Sequence, residues 1–328
     1  MFAKQMLIGL LVFALVLSSG LNVMAKDAPL VIRISHLQDV NSVWQAGCVK
    51  FKELVEQKSN GRVEVKIFPN SQIGNEKDSL EGLRMGTLEI TLGASGPLAS
   101  WDKKLSIFAM PYLFRDANHV RKVLTPDGIG GQMAEELRVA SGIRTLAWWD
   151  RTPRNLTSNK PIKTLADLKG LKIRVPQAAS FVETWKALGA NPVPMAWPEV
   201  YPALQQGVIE AQENPLDFIY NGKIQEVQKY LLLIEYVRLQ VWFNYSDLLW
   251  QKLPPDLRQI VRQAAVDAGK YHDQLLAESD QGYLEKLKAT MQVLDLDPKL
   301  LMDATKDVYK KFVNDFGEDL YLKIQAVQ

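Results

Sequence analysis

The sequence predicts an α/β protein with two lobes, and three observations support that prediction. Leu30–Ser35 reads as a strand, residues 43–57 carry apolar side chains at helical spacing, and residues 61–68 alternate as a strand. This β-α-β opening requires a parallel sheet. A second α/β block runs from about residue 150 to residue 239, and 328 residues exceed the usual size of one domain. A nearly continuous helical pattern over residues 254–287 is long enough to bridge two lobes.

The other elements follow from the same two periodicities and from the glycine and proline residues that bound them. Helices are predicted at residues 77–85, 117–124, 130–141, 165–169, 179–188, 197–207 and 298–316, with a further helix after Pro215. Strands are predicted at residues 88–92, 142–149, 154–158, 171–175, 208–211, 230–234, 237–244 and 291–296, with an extended segment at 191–195. We expect the later segments to return and complete both sheets. Lobe I then comprises residues 27–151 and 240–279, and lobe II comprises residues 152–239 and 280–328, with a binding cleft between them.

Composition excludes several classes of function. The formal net charge is +2, which argues against a nucleic-acid partner. Cys48 is the only cysteine, so neither an intrachain disulfide nor a thiolate metal cluster is expected. The three histidines have no metal-ligand spacing, and no G-x-S-x-G nucleophile motif occurs. We therefore expect no metal and no cofactor, and nothing in the sequence requires an enzyme.

Residues 1–25 have the pattern of a cleaved secretory signal peptide. Lys4 gives a positive start, residues 6–17 are almost wholly apolar, and small residues precede a predicted cleavage after Ala25. The apolar run is short for a membrane span, although an uncleaved anchor is the alternative. The mature protein is thus predicted to be exported to the periplasm.

The central stretch is Asp167-Leu-Lys-Gly-Leu-Lys-Ile-Arg-Val-Pro176. Its alternation predicts a half-buried strand with Arg174 near the carboxyl end, and ligands of open α/β sheets bind beside such ends. A guanidinium there matches a carboxylate through two parallel hydrogen bonds. The alternative is a solvated arginine on an exposed strand face.

Other polar and aromatic residues lie near predicted strand ends. Arg154 begins a strand and Asn214 follows one. Trp149 and Trp197 could stack on the apolar face of a ligand, or they could be core residues. The loop Gly93-Ala-Ser-Gly-Pro97 would let a ligand approach the backbone near Ala94 and Ser95, and His36 ends the first strand.

Three stretches resemble the DctP family, the substrate-binding subunits of TRAP transporters. They are SQIGNEKDSLEGLRMGTLEIT at 71–91, DLKGLKIRVP at 167–176 and GANPVPMAWPEVYPALQQGVIEAQENPL at 189–216. FAMPYLF at 108–114 agrees, and the resemblance covers essentially the whole mature chain in order. It implies two α/β lobes of the periplasmic binding protein fold, discontinuous in sequence and joined by crossing strands and a long helix. It also implies capture of an organic acid for a two-subunit TRAP membrane permease.

The resemblance also implies roles for particular residues. Arg174 matches the family arginine that pairs with the ligand carboxylate, and Arg154 and Asn214 match a second arginine and an asparagine. Trp197 stands at the usual aromatic position. A separate group of positions often touches the distal end of the ligand: His36, Glu76 and Ala94. Sialic-acid binders of the family carry a Glu and an Arg where this chain has Ala94 and Pro97, so sialic acid is not the expected ligand.

Several functions remain open from the sequence. The leading hypothesis is a binder of a hydroxylated monocarboxylate, in particular a uronate or an aldonate. An aromatic or branched keto or hydroxy acid is the nearest variant. A periplasmic enzyme that uses His36 and Glu76 on such an acid is a second class, and a sensor subunit that feeds a signalling receptor is a third.

Overall fold

The computed structural model describes residues 28–328 and confirms the α/β prediction. The predicted signal peptide lies outside these residues. The strands are β1 Leu30–Ser35, β2 Val63–Phe68, β3 Ile90–Gly93, β4 Ile143–Trp149, β5 Asn155–Ser158, β6 Lys172–Val175, β7 Asn191–Pro194, β8 Ala211–Asn214, β9 Tyr230–Leu232, β10 Val241–Ser246 and β11 Gln292–Leu294.

The α-helices alternate with these strands. They are α1 Val43–Lys58, α2 Glu76–Met85, α3 Ser95–Leu98, α4 Ala117–Val123, α5 Ile129–Ser141, α6 Ala179–Ala187, α7 Val200–Gln205, α8 Leu216–Asn221, α9 Asp247–Trp250, α10 Pro255–Lys288, α11 Pro298–Thr305, α12 Val313–Phe316 and α13 Glu318–Ala326. Short 3₁₀ turns lie at Lys103–Ala109, Leu165–Leu168, Trp197–Glu199, Ile224–Glu226 and Val308–Phe312. No helix within residues 28–328 has the length and apolarity that crossing a membrane requires.

The strands form two separate sheets. The first has the order β2-β1-β3-β10-β4, in which β1 runs parallel to β2 and β3, and β10 runs antiparallel to β3 and β4. The second has the order β11-β9-β5-β8-β6-β7, with parallel pairs at both ends and antiparallel pairs around β5. Each sheet therefore takes in a strand from the later part of the chain, β10 in the first and β11 in the second.

Two segments connect the sheets. Residues 150–154 lead from β4 to β5, and residues 233–240 lead from β9 back to β10. They are hydrogen-bonded to each other, since the backbone N–H of Arg154 donates to the carbonyl of Val237 at 2.9 Å. The two connections therefore lie side by side at Arg154 and Val237.

Helix α10 links the two cores. Its first half packs Leu257, Val261 and Ala265 against the first sheet, while Tyr283 and Leu287 join an apolar cluster of the second-sheet side. The prediction of a single long helix at 254–287 is thus confirmed within one residue at each end.

Part of the carboxyl-terminal segment packs on the other side of the molecule from the lobe to which the sequence assigns it. That division assigns residues 280–328 to lobe II, but Val308, Phe312 and Phe316 are buried in a cluster with Phe108 and Trp242 on the first-sheet side. Val308 and Phe312 lie in the 3₁₀ turn and Phe316 ends α12, so the single helix predicted at residues 298–316 is interrupted in the structure. The remaining boundaries of the division stay a prediction.

Candidate functional site

A cleft between the two sheets brings together residues from distant parts of the chain. It opens at the carboxyl end of β6, the end of β8, the β4–β5 connection and the amino end of α2. The side chains that line it include six of the residues singled out in the sequence: Glu76, Ala94, Arg154, Arg174, Trp197 and Asn214.

Arg174 lies on β6 and is buried, with 5% of its surface exposed. Its Nε and Nη2 atoms donate to the carbonyl oxygen of Met195 at 3.0 and 2.7 Å. Within residues 28–328 no carboxylate forms an ion pair with it, and its Nη1 atom has no hydrogen-bond partner. Burial, and then repulsion by Arg154, lower the pKa of Arg174 to about 10. The guanidinium is held by a backbone carbonyl and has no direct ion-pair partner, although the charges of Glu213 and Glu76 act on it from a greater distance and oppose the fall of its pKa.

Arg154 is equally buried but already paired. Its Nε donates to the Glu213 carboxylate, and its Nη2 donates to the other carboxylate oxygen at 3.0 Å and to the Glu213 carbonyl at 2.5 Å. Glu213 has no exposed surface. Burial alone would lower the pKa of Arg154, but the charge and hydrogen bonds of Glu213 outweigh it and raise that pKa. Arg154 therefore contributes hydrogen-bond geometry to the cleft but little net charge.

A buried strand of mostly polar residues, β8, lies beside the arginines at the cleft. Strand β8 is entirely buried although three of its four residues are polar. Asn214 donates to the side-chain oxygen of Gln212 at 2.7 Å, and Gln212 donates to Thr157 at 2.9 Å. This chain of hydrogen bonds fixes the orientation of the Asn214 amide at the cleft, as buried polar groups require.

Aromatic rings lie beside the arginines in the lining of the cleft. Trp197 and Phe218 meet edge to face with ring centroids 5.6 Å apart. The Arg174 guanidinium lies 5.8 Å from the Trp197 ring and that of Arg154 lies 5.3 Å from Phe181. These cation–π contacts hold the charged groups in place without using their in-plane N–H donors.

Glu76, at the start of α2, is the carboxylate that lines the cleft from the first-sheet side. One of its oxygens accepts the backbone N–H of Ala94 at 2.8 Å. Burial raises the pKa of Glu76, and the charges of Arg151, Arg174 and Arg154 oppose that rise. Gly93 makes this approach possible, because a Cβ there would lie 2.4 Å from the same Glu76 oxygen.

Three other residues from the sequence analysis do not line the cleft. His36 is buried, and its Nε2 is hydrogen-bonded to Gln45 at 2.8 Å. Ser95 is buried in α3. Trp149 lies in the core of the first-sheet side, where its Nε1 donates to the carbonyl of Ala265 at 3.0 Å. For Trp149 the core-packing alternative therefore describes the structure.

Arg151 is a cleft residue that the sequence reasoning missed. It lies in the β4–β5 connection, three residues before Arg154, and only 7% of its surface is exposed. An arginine beside the end of a predicted strand was a usable signal, because the same criterion singled out Arg174. The part of the chain that the structure describes contains no group of His, Cys, Asp and Glu side chains suited to a metal ion.

Comparison with known proteins shows which family the chain as a whole resembles. The family model DctP, described as bacterial extracellular solute-binding protein, family 7, matches residues 34–315. A solute-binding protein of Roseobacter denitrificans is 37% identical over 281 residues, which are 85% of each chain.

Solved structures agree with the sequence match. A TRAP periplasmic solute-binding protein of R. denitrificans with bound L-galactonate has a TM-score of 0.84 at 35% identity, covering 91% of this chain and 98% of that one. One of Xanthobacter autotrophicus with bound β-D-galacturonate has a TM-score of 0.86 at 31% identity, covering 90% and 100%. One of Sulfurospirillum deleyianum with bound succinate has a TM-score of 0.87 at 33% identity, covering 92% and 100%.

Proposed function

The chain belongs to the bacterial extracellular solute-binding proteins of family 7, the DctP family of TRAP transporter subunits, and on that premise we propose that it captures a sugar acid through Arg174 and delivers it to a membrane permease. Proteins of this family act outside the cytoplasm as substrate-binding subunits for organic acids and are not enzymes. The periplasm is therefore its compartment, and the signal peptide at residues 1–25 remains a prediction.

The observation that carries the proposal is the unpaired state of Arg174. A buried guanidinium without a counter-ion is electrostatically costly, so the cleft favours an anion that can reach it. Its fixed orientation on Met195 leaves the outer N–H groups for a carboxylate. Arg154 would add hydrogen bonds, and Asn214 would bind a polar group next to the carboxylate.

A sugar acid, such as a uronate or an aldonate, agrees best with the remaining lining. Two of the three related structures were solved with sugar acids, L-galactonate and β-D-galacturonate. Glu76 and Asn214 supply an acceptor and a donor for hydroxyl groups, and Trp197 offers an apolar surface for the face of a sugar ring. The aromatic wall also favours one second candidate, an aromatic or branched keto or hydroxy acid.

Calorimetric titration with D-galacturonate, L-galactonate and phenylpyruvate tests the proposal. Truncating one partner of a buried charge pair costs about 2–5 kcal/mol, so we expect Arg174→Ala to weaken binding by about 30-fold to several thousandfold. Arg174→Lys keeps the charge but loses the two-pronged geometry, and we expect an intermediate loss.

Arg62→Ala is the control, since Arg62 is half exposed and pairs with Asp256 at the surface. It should bind as the native protein does. If Arg174→Ala bound these acids with native affinity, Arg174 would not be the anchor.

Delivery to a permease is tested separately, by ligand uptake in cells that carry the permease with native or Arg174→Ala protein. A sensor function predicts instead an unchanged uptake and a lost transcriptional response.

A further inference from the structure

We infer that Arg151 is a specificity-determining residue of this cleft that binds ligand hydroxyl oxygens, which makes the ligand class a polyhydroxylated monocarboxylate. The inference rests on the proposed function and deepens it. It adds a third guanidinium, from the connection between β4 and β5, and it separates a sugar acid with one carboxylate from a dicarboxylate.

The position of Arg151 suits direct contact with a ligand. It lines the cleft from the connection between the two sheets. Its Nε is buried and has no hydrogen-bond partner, and no carboxylate within residues 28–328 lies close enough to form an ion pair with it. None of the other guanidinium donors of Arg151 has a hydrogen-bond partner within residues 28–328 either, although the residue lines the cleft. Buried polar groups are normally hydrogen-bonded, so the guanidinium lacks polar partners that a ligand could supply.

Two aromatic rings hold the Arg151 side chain. Its guanidinium carbon lies 4.3 Å from the ring centroid of Phe218 and 5.6 Å from that of Trp44. Stacking of this kind occupies a face of the planar group and leaves the N–H donors at its edge available. Arg151 is therefore oriented before a ligand arrives.

Three carboxylates act on Arg151 without forming an ion pair with it, namely Asp217, Glu76 and Glu213, and Glu76 lines the same cleft. Burial, and then repulsion by Arg154, lower the pKa of Arg151 to about 9, whereas Asp217 and Glu76 oppose that shift. A hydroxyl group can accept from a guanidinium and donate to a carboxylate at the same time. A ligand hydroxyl between Arg151 and Glu76 would satisfy both, which neither a hydrocarbon chain nor a second carboxylate does.

The charge balance favours a single carboxylate on the ligand. Four cations line the cleft: Lys77, Arg151, Arg154 and Arg174. Three carboxylates face them: Glu76 in the lining, Glu213 on Arg154, and Asp217 beside Arg151. With all seven ionised the balance is one positive charge. One ligand carboxylate neutralises it, while a second would face Glu76 and Asp217 unpaired.

The test compares three acids by calorimetry on the full mature protein: D-galacturonate or L-galactonate, whichever binds more tightly; hexanoate, which has no hydroxyl; and galactarate, which carries a second carboxylate on the same polyol. The native protein should prefer the sugar monocarboxylate to both others by at least tenfold. Arg151→Gln should weaken that binding about 10- to 100-fold and change hexanoate binding less than threefold, while Arg151→Lys recovers part of the loss.

Arg262→Gln is the matched control, because Arg262 also lies over an aromatic ring, 5.5 Å from Trp250, but outside the cleft. It should leave all three affinities unchanged. An equal loss for hexanoate in Arg151→Gln, no loss for the sugar acid, or a native preference for galactarate or hexanoate would each overturn the role of Arg151 while the organic-acid function stands. A native protein that bound none of the acids would instead remove the proposed function itself. Unfolding curves for each variant separate these results from a folding defect.

Discussion

Arg154 and Arg174 are two buried guanidinium groups in the same cleft, and they differ in whether a carboxylate of the protein pairs with them. Arg154 has a fully buried carboxylate partner in Glu213. Arg174 is anchored to a backbone carbonyl and has no counter-ion within residues 28–328. The first is an ion pair of the folded protein itself, and we propose that the second forms one only when an anionic ligand enters.

The comparison shows that burial of a charged side chain does not by itself identify a ligand contact. What distinguishes the two arginines is where the compensating charge comes from. We therefore expect mutations around Arg154 to appear mainly as lost stability, and mutations at Arg174 to appear mainly as lost affinity.

The largest effect should come from Glu213→Gln. Removing one partner of a buried ion pair leaves an uncompensated charge and typically costs 3–5 kcal/mol. We expect a loss of about that size, measured by urea unfolding in the absence of ligand. Glu210→Gln is a suitable control, since Glu210 precedes the same strand but forms a partly exposed ion pair with Lys160. A loss below about 1 kcal/mol for Glu213→Gln would contradict the structural role of this pair.

Strand β6 illustrates what the sequence could predict. The alternation of residues 171–175 predicts a strand ending near Arg174, and the structure has that strand at Lys172–Val175. Period-2 alternation is a local signal, and it is strong where apolar residues alternate with charged ones. The long helix was predictable for the same reason, because one periodic pattern extends over most of its length.

Strand β8 illustrates what the sequence could not predict. The apolar run at 208–211 predicted a strand there, but the strand lies at Ala211–Asn214. Val208 is 54% exposed after the left-handed Gly207, whereas the polar residues that follow are buried against one another. Hydrophobic patterning cannot detect a strand whose polar side chains are satisfied by partners distant in sequence. The same limit hid Glu213 as the partner of Arg154, since their contact depends on the pairing of β5 with β8.

His36 is a further buried basic side chain, and burial favours its neutral, unprotonated form. Burial lowers the pKa of His36 to about 4, against the smaller effect of its hydrogen bond to Gln45. Below the ordinary histidine pKa of 6.5 the unfolded chain binds a proton at His36, whereas the folded protein does not. The contribution of neutral His36 to the free energy of unfolding is therefore complete above pH 6.5 and is lost as the pH falls toward 4. The loss amounts to about 3 kcal/mol.

His36→Gln should therefore reduce the acid sensitivity of the protein. Urea unfolding at pH 7 and pH 4.5 should show that the difference between the two values is smaller in the variant than in the native protein by about 2–3 kcal/mol. His119→Gln is the comparison, because His119 is also buried but both of its ring nitrogens are hydrogen-bonded: Nδ1 accepts from the backbone N–H of Arg115, and Nε2 donates to the carbonyl oxygen of Ile324. Identical acid sensitivity in His36→Gln and native protein would mean that the pKa of His36 is the same in the folded and unfolded states.

The contribution of Asp217 to stability changes with pH in the opposite direction to that of His36. Burial raises the pKa of Asp217 to about 6, although the charge of Arg151 opposes the shift. Between its ordinary pKa and pH 6 the folded carboxyl holds a proton that the unfolded chain has released. Its contribution to stability therefore declines as pH rises through this window. The stability of Asp217→Asn relative to the native protein should rise by about 2 kcal/mol between pH 4 and pH 7, measured by urea unfolding. A constant difference across that range would contradict the shifted pKa.

The smallest change in stability should come from Arg174→Met, which separates the two arginines most sharply. The variant loses two hydrogen bonds to Met195 but also loses an uncompensated buried charge, and we expect these terms to cancel within about 1 kcal/mol. Ligand at 100 times Kd should stabilise the native protein by about 2.7 kcal/mol. That increment should vanish in Arg174→Met and persist in Arg62→Met. If Arg174→Met unfolded as easily as Glu213→Gln without ligand, Arg174 would be a structural arginine like Arg154, since a group whose counter-charge arrives with the ligand cannot be essential to the empty protein.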